Sequence, residues 1–495
     1  MPDYPDHDER RALKLRRRTM LAGMGALAAA PLPVRARRSE TGNPRLMQGP
    51  MVGAVTGSEI LIWGRASGPY RVEIEYADNP DFANARRSAP VQAQAERDFT
   101  TVSRLTGLES GRRYYYRPLV EGDQPKYRQE LSPYSVRTAP AEPAKIRIAF
   151  GSCARVQEDP EQPIWGAVLR SEPDLFLWLG DNIYADSRIP GVMAEIYRRQ
   201  RDVAGAQPVL RQVPQLAIWD DHDFGEGGAD RTFATREQSL ALFKQYWANP
   251  AYGLPDAPGV FFRYSYGGTD FFFLDDRYYR DPNDMPQSAE KTQIGAAQRE
   301  WLQQSLLESD APFKLVIAGG GWTRTQPDEQ PVGWGSWASF LHERNALFDF
   351  IRDNRIGGVV LLSGDTHAGE LNAVPWSARG GYDFYDLVAS PLAQDTSINW
   401  FRRRPERRIR GAYAGSANFG ELEIDAAADR PKLTYKLRNI YGKSVWNDLV
   451  LYADELVNGV TSWPGKMSGD GRDWHHMVGD LTANDWAMID AGHDR

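Results

Sequence analysis

The sequence predicts an α/β protein in which a small β-sandwich precedes a larger layered domain. Three observations carry this. Residues 46–138 are short alternating runs separated by turn residues; from Lys145 onward, apolar strands interleave with helical patterns; and four of those strands end in polar clusters able to bind metal. At 495 residues the chain is long for one domain and has ample length to bury two cores.

The first segment is a targeting signal by its layout. Residues 10–18, RRALKLRRR, are strongly basic, and Thr19 to Pro33 is a small-residue apolar run that ends near Val34-Arg35-Ala36. That run is shorter than the roughly 20 residues a spanning helix needs. The segment resembles a twin-arginine signal, with Arg17-Arg18-Thr19-Met20-Leu21 as its core. Residues 1–36 are therefore expected to direct export through the twin-arginine translocon, and the protein to be periplasmic or secreted with no stable membrane span. Twin-arginine export carries folded proteins, which suits a cofactor loaded in the cytoplasm.

Between residues 46 and 138, the runs Glu59 to Gly64, Tyr70 to Tyr76, Phe99 to Leu105, Arg113 to Val120 and Tyr134 to Thr138 predict an antiparallel sandwich. The LTGLESGRRYYYRPLVEGD stretch resembles a fibronectin type III-like strand pair, and Tyr114 and Tyr116 read as core. APAEPA, Ala139 to Ala144, is the linker. The second domain is expected over 145–470. It has strands at Lys145 to Phe150, Leu175 to Leu179, Leu216 to Trp219, Phe271 to Leu274, Lys314 to Ala318 and Gly358 to Leu362. Helices are expected at Ile164 to Arg170, Ser239 to Trp247, Ala296 to Leu307 and His342 to Arg352, and closing strands at Phe419 to Ile424 and Lys432 to Arg438. Residues 471–495 form a polar tail.

The 59 basic and 66 acidic residues, net charge -7, are mixed along the chain and do not suggest nucleic acid as a partner. The single cysteine, Cys153, excludes an internal disulfide and, in an exported protein, calls for burial or for a role.

The four strand ends supply that role. IRIAF leads to Gly151-Ser152-Cys153, LFLWL to Gly180-Asp181-Asn182-Ile183-Tyr184, QLAIW to Asp220-Asp221-His222-Asp223, and GGVVLLS to Gly364-Asp365-Thr366-His367. Each alone reads equally as a polar turn. Ligands of open α/β sheets bind beyond the carboxyl ends of strands, so four such ends on one sheet edge would converge on a single cleft. Carboxylates suit hard cations, imidazole borderline ones, and thiolate or phenolate strongly Lewis-acidic ions. A run of carboxylates after a buried strand repels itself unless a cation is present. Asp181 is the natural bridge between two metals, and Asp365 and His367 are expected on one side of an extended turn. Arg155 and Arg277 are candidates for phosphate, because a guanidinium fork matches its oxygens. Residues 320–340, with Trp322, Trp334 and Trp337, read either as a substrate entrance or as a packed loop.

In this order, FGSCA, LGDNIYAD, IWDDHDFG, LDDRYYRD and LLSGDTHAGEL resemble the PhoD-like alkaline phosphatase family of metallophosphoesterases. The resemblance implies a four-layer αββα metallophosphatase core, Fe3+ held by Cys153 and Tyr184, and Ca2+ beside it, with other divalent metals as substitutes. It implies Asp181 as bridge, Asp220 or Asp221 at the second site, Asp365 and His367 completing the cluster, and Arg277 with Asn182 on phosphate. Hydrolysis of phosphomonoesters or phosphodiesters by hydroxide generated on the metal is the implied reaction, with His222 or Asp223 protonating the leaving group. The family's usual Asn-Asp pair is replaced by Gly227 and Gly228, for which Glu226 or Asp230 would have to substitute, and LDDR stands for LDTR. This departure keeps open a metal- or phosphate-binding exported protein with a degenerate centre. A purple acid phosphatase shares Gly-Asp-x-x-Tyr, but the chain has no Gly-Asn-His-Asp/Glu element.

Overall fold

The computed structural model describes residues 43–121, 134–323, 336–397 and 405–467. The signal segment, the tail and Trp334 lie outside them. Among the described residues no helix is long and apolar enough to cross a membrane.

Residues 46–137 form two facing antiparallel sheets. One is β1 (Leu46–Val55), β2 (Ile60–Ala66) and β6 (Thr100–Leu105). In the other, β3 (Arg71–Ala77) pairs with β4 (Arg86–Arg87), β5 (Val91–Gln92) and β7 (Arg113–Val120), which pairs with β8 (Tyr134–Arg137). Alternation along each strand turns Val52, Ile62, Ile74, Tyr114 and Tyr116 into one core between them. The sandwich is stapled to the larger domain: the Tyr116 hydroxyl donates to the Arg211 carbonyl at 2.7 Å, and Trp63 packs into the main core.

The larger domain stacks two mixed sheets. In the first, β9 (Lys145–Gly151), β10 (Leu175–Leu179) and β11 (Gln215–Ile218) are parallel, and β19 (Asn418–Asp425), β20 (Lys432–Asn439) and β21 (Leu449–Tyr452) extend it antiparallel from β9. The second runs β12 (Phe262–Tyr266), β13 (Thr269–Phe273), β14 (Phe313–Ile317), β15 (Val359–Ser363), β17 (Phe384–Val388), β16 (Gly369–Val374) and β18 (Arg407–Tyr413), parallel from β13 to β17. Helices Ile164–Arg170, Pro190–Arg201 and Gln207–Gln212 connect strands of the first sheet, and Ala296–Leu307 and Leu341–Asp353 those of the second. The central strands are apolar on both faces, as strands covered on both sides must be, and β10, β11, β13, β14 and β15 are buried at every residue.

One expectation changes here and one open reading is narrowed. The four chemistry-bearing ends do not share one sheet edge: three follow β9, β10 and β11, while Gly364-Asp365-Thr366-His367 follows β15 in the second sheet. They meet because the two sheets face each other with those ends together. Trp322 and Trp337 line no entrance. Both are fully buried and stacked, with ring centroids 4.3 Å apart, as packed core.

Candidate metal centre

Each candidate ligand sits where the chain leaves a buried strand, and the turn is made by unusual backbone. Cys153, Asp181, Asp365 and His367 all have positive φ, at 59°, 50°, 65° and 51°. L-residues pay about 1–3 kcal/mol for such conformations, which persist where the surroundings over-determine them. Gly180, at φ 92°, admits no side chain: a Cβ there would lie 2.6 Å from the Asp220 Cβ. The close approach it permits brings the ends of β10 and β11 together.

The result is three groups of donor atoms, each within 4.8 Å: Cys153, Asp181 and His367; Asp181, Asp221 and His222; and Asp220, Asp221 and Asp365. Asp181 joins the first to the second, and Asp221 the second to the third. Asp365 and His367, expected to act as a pair, serve different groups. Around Asp181, the Cys153 thiol lies 3.6 Å from Oδ2, the Tyr184 hydroxyl donates to the same oxygen at 3.1 Å, and the His222 amide donates to Oδ1 at 3.3 Å. Tyr184 also lies 3.2 Å from His367 Nε2.

Electrostatics make this an acid cluster short of cations. Burial pushes Asp181 well above the usual carboxylate range; the charge of His222 opposes this, and Asp221 and Asp365 add to it. Burial likewise raises Cys153, with Asp181 and Asp365, and Tyr184, with Asp181 and Cys153. Burial opposes charge on His222, yet Asp181, Asp186 and Asp221 lift it to about 10, while burial and His222 hold His367 down to about 4. His367 is thus neutral at neutral pH, the state in which imidazole ligates. Asp220 Oδ2, Asp221 Oδ1 and Asn182 Oδ1 are buried without hydrogen-bond partners. Orphaned carboxylate oxygens beside imidazole, thiol and phenol are a donor set that fits metal ions.

The other expected residues divide. Arg155 lies with its guanidinium 5.4 Å from the Tyr184 ring centroid, at the rim of the first group. Arg277 is fully buried; its Nε donates to Asp220, and Nη2 stands 3.7 Å from Asp221. It enters the centre as an internal counter-ion. Asn182 is turned inward, its Nδ2 donating to the Ile218 carbonyl at the end of β11 at 2.7 Å. Asp223, expected as an alternative proton donor, is turned towards the backbone. Its carboxylate accepts from the amides of Asn182, Ile183 and Asp220 and clamps the two loops, and it is 1% exposed. Glu226 pairs with Arg188 and Asp230 accepts from Thr232, so neither joins a donor group; instead the Gly228 amide, at φ 78°, donates to Asp221 Oδ2 at 2.6 Å.

Sequence reasoning missed the thiol's two hydroxyl neighbours, Ser152 and Ser390, each 3.3 Å from Sγ, and Asp186, 2.5 Å from His222 Nδ1. Ser390 follows β17, a fifth apolar run ended by a polar residue, so the same signal was present. A separate cleft of about 770 Å³, lined by Arg113, Arg137, Lys145, Glu172, Asp174 and neighbours, opens at the amino ends of β9–β11 and contains none of the donors.

Comparison with known proteins settles the lineage. Residues 148–430 match the model of the PhoD-like phosphatase family, more than half of the chain, and residues 30–140 that of its N-terminal domain. The chain belongs to the PhoD-like phosphatase family. It is 26% identical over 363 residues to alkaline phosphatase D of Bacillus subtilis (strain 168), an alignment spanning 63% of this chain and 60% of that protein. Two solved structures share the fold. One is a structure of PhoD, with TM-score 0.68 and 17% identity over 91% of this chain and 98% of that one. The other is a purple acid phosphatase from yellow lupin (Lupinus luteus) seeds, with TM-score 0.55 and 12% identity over 87% and 76%. The four-layer metallophosphatase core preceded by a strand-rich domain, expected of a PhoD-like phosphatase, is the fold observed.

Proposed function

We propose that this PhoD-like phosphatase is an exported, metal-dependent phosphoester hydrolase acting on phosphomonoesters, phosphodiesters or both. The convergence of three donor groups on Asp181 and Asp221 carries the reading. Cys153, Tyr184, Asp181 and His367 are the residues for iron, and Asp220, Asp221 and Asp365, with Asp181, those for calcium or another divalent ion. Bound there, the cations would lower the pKa of water towards neutrality and polarise the phosphoryl oxygens.

The chain's own groups do the rest. Arg277 balances Asp220 and Asp221, so that the acid cluster is not self-repelling before a cation enters. Arg155, beside the Tyr184 ring, is the guanidinium proposed to meet a phosphate oxygen. His222, stacked on Tyr184 with centroids 4.2 Å apart, is the residue for protonating the leaving oxygen, since Asp223 is consumed by backbone amides.

The test is metal analysis with a visible spectrum on protein produced with its own signal, paired with hydrolysis of a chromogenic monoester and a diester. Iron with a charge-transfer band lost in Cys153→Ser or Tyr184→Phe, and turnover that requires calcium, is the expected result; no metal and no turnover would overturn it. One observation favours a second reading. Gly228 spends its amide on Asp221, where a further oxygen ligand would be needed. Bound metal without turnover would support a binding protein with a degenerate centre.

A further inference from the structure

The loop after β10 and the helical turn Asp221–Phe224 are zipped together by main-chain bonds: the Ala185 amide donates to the His222 carbonyl at 3.3 Å, and the Ser187 amide to the Gly225 carbonyl at 3.2 Å. Between these two bonds Asp186 adopts φ 44°, which swings its carboxylate back over His222. Its Oδ1 lies 2.5 Å from His222 Nδ1, and the imidazole is pressed on the Tyr184 ring at an interplanar angle of 30°. The ring is therefore held at one edge by a carboxylate and on one face by an aromatic. Asp186 is at the rim, its side chain 42% exposed against 25% for His222. With Nδ1 engaged by Asp186, Nε2 is the nitrogen left for the reaction.

We infer that Asp186 is a positioning residue for leaving-group protonation: by accepting from Nδ1–H it fixes the orientation of the His222 imidazolium and presents Nε2–H to the departing oxygen. The inference rests on the hydrolase reading above. In the step it serves, the bond from phosphorus to the ester oxygen breaks with its electron pair on that oxygen, which takes the Nε2 proton. The oxygen of the attacking water forms the new bond to phosphorus. One water proton stays on the phosphate product, and the other, passed through solvent, restores His222. A second nitrogen held by a carboxylate is what keeps an imidazole in register for such a transfer.

A leaving group that departs as a stable anion needs no proton; an alkoxide does. Metal-loaded wild type, Asp186→Asn and Asp186→Glu are therefore compared on p-nitrophenyl phosphate and on an alkyl phosphate, with kcat, KM and metal content measured for each. We expect the alkyl-to-aryl ratio of kcat to fall by about 10–100-fold in Asp186→Asn, a part of the range general acids supply. KM and bound metal should stay unchanged, and Asp186→Glu should recover part of the ratio. In 15N spectra of the imidazoles, the shift assigned to His222 Nδ1 moves in Asp186→Asn. An unchanged ratio, equal slowing of both esters or loss of metal overturns the inference. If wild type turns over neither ester, the hydrolase reading fails first; an unmoved Nδ1 shift would then show separately that Asp186 does not hold the ring.

Discussion

Arg277 reaches Asp220 across the gap between the two sheets, donating from Nε to Oδ1 with both side chains 1% exposed or less. Two groups from opposite sheets thus form a buried ion pair beneath the candidate metal centre. Asp276, the residue before Arg277, adds a further buried carboxylate that accepts from the Gly320 amide at 3.0 Å.

Removing the cation from this pair strands charge. Arg277→Met should lower the stability of metal-free protein by about 3–5 kcal/mol, because Asp220 and Asp221 are left buried without a counter-ion. Added divalent cation should return part of the loss. Urea unfolding with and without calcium checks this; a loss of the same size in both would mean that Arg277 acts through packing alone.

Asp181→Asn keeps the backbone conformation, since Asn tolerates positive φ as well as Asp does. It removes the carboxylate shared by the Cys153 and His222 groups. Metal affinity should fall by more than the roughly 10–100-fold typical of residues outside the ligand set, and turnover with it. Full activity in this variant would sink the assignment of the centre.

Cys153→Ser separates the groups. The thiol belongs to one of the three and the hydroxyls of Ser152 and Ser390 already surround it, so the substitution should remove the first metal and leave the Asp220, Asp221 and Asp365 group loaded. Elemental analysis giving loss of both metals would mean that the groups fill as a unit.

Acid should loosen the junction between sandwich and core. Asp98 accepts from Arg65 on the sandwich and from Arg198 and Tyr246 on the core. Burial opposes its charge, but these partners win and hold its pKa below the ordinary 3.8. The folded value lies below the unfolded one, so the stabilisation is present above about pH 4 and disappears as pH falls through the folded value. Asp98→Asn should be less stable than wild type at pH 7, by about 1–3 kcal/mol for a charged hydrogen-bond acceptor, and should converge with it as pH falls towards 2. Melting temperatures across that range measure the effect; parallel curves would exclude it.

Much of the fold was legible because burial writes itself locally. The apolar runs before Cys153, Asp181, Asp220 and Asp365 end within a residue or so of the observed strands, and the helices at 164–170 and 296–307 fall where periodicity puts them. Less legible were β1, β16 and the edge strand β18. What escaped altogether were pairings: Ser390 on Cys153 is 237 residues away in sequence, and no local pattern specifies it. Asp223 looked like one more metal-competent acid, yet one helical turn points it back at the amides of its own loops.

By itself, then, the sequence determined the order of domains, the family and the residue types of the centre, because hydrophobic period and polar strand ends depend only on neighbours along the chain. The tertiary structure alone decided that the candidate centre spans two sheets, that Arg277 is a counter-ion, that Asp365 and His367 part company and that Asp186 lies against His222. Those outcomes depend on distances between residues far apart in the chain and on the sign of φ at single positions, neither of which local composition specifies.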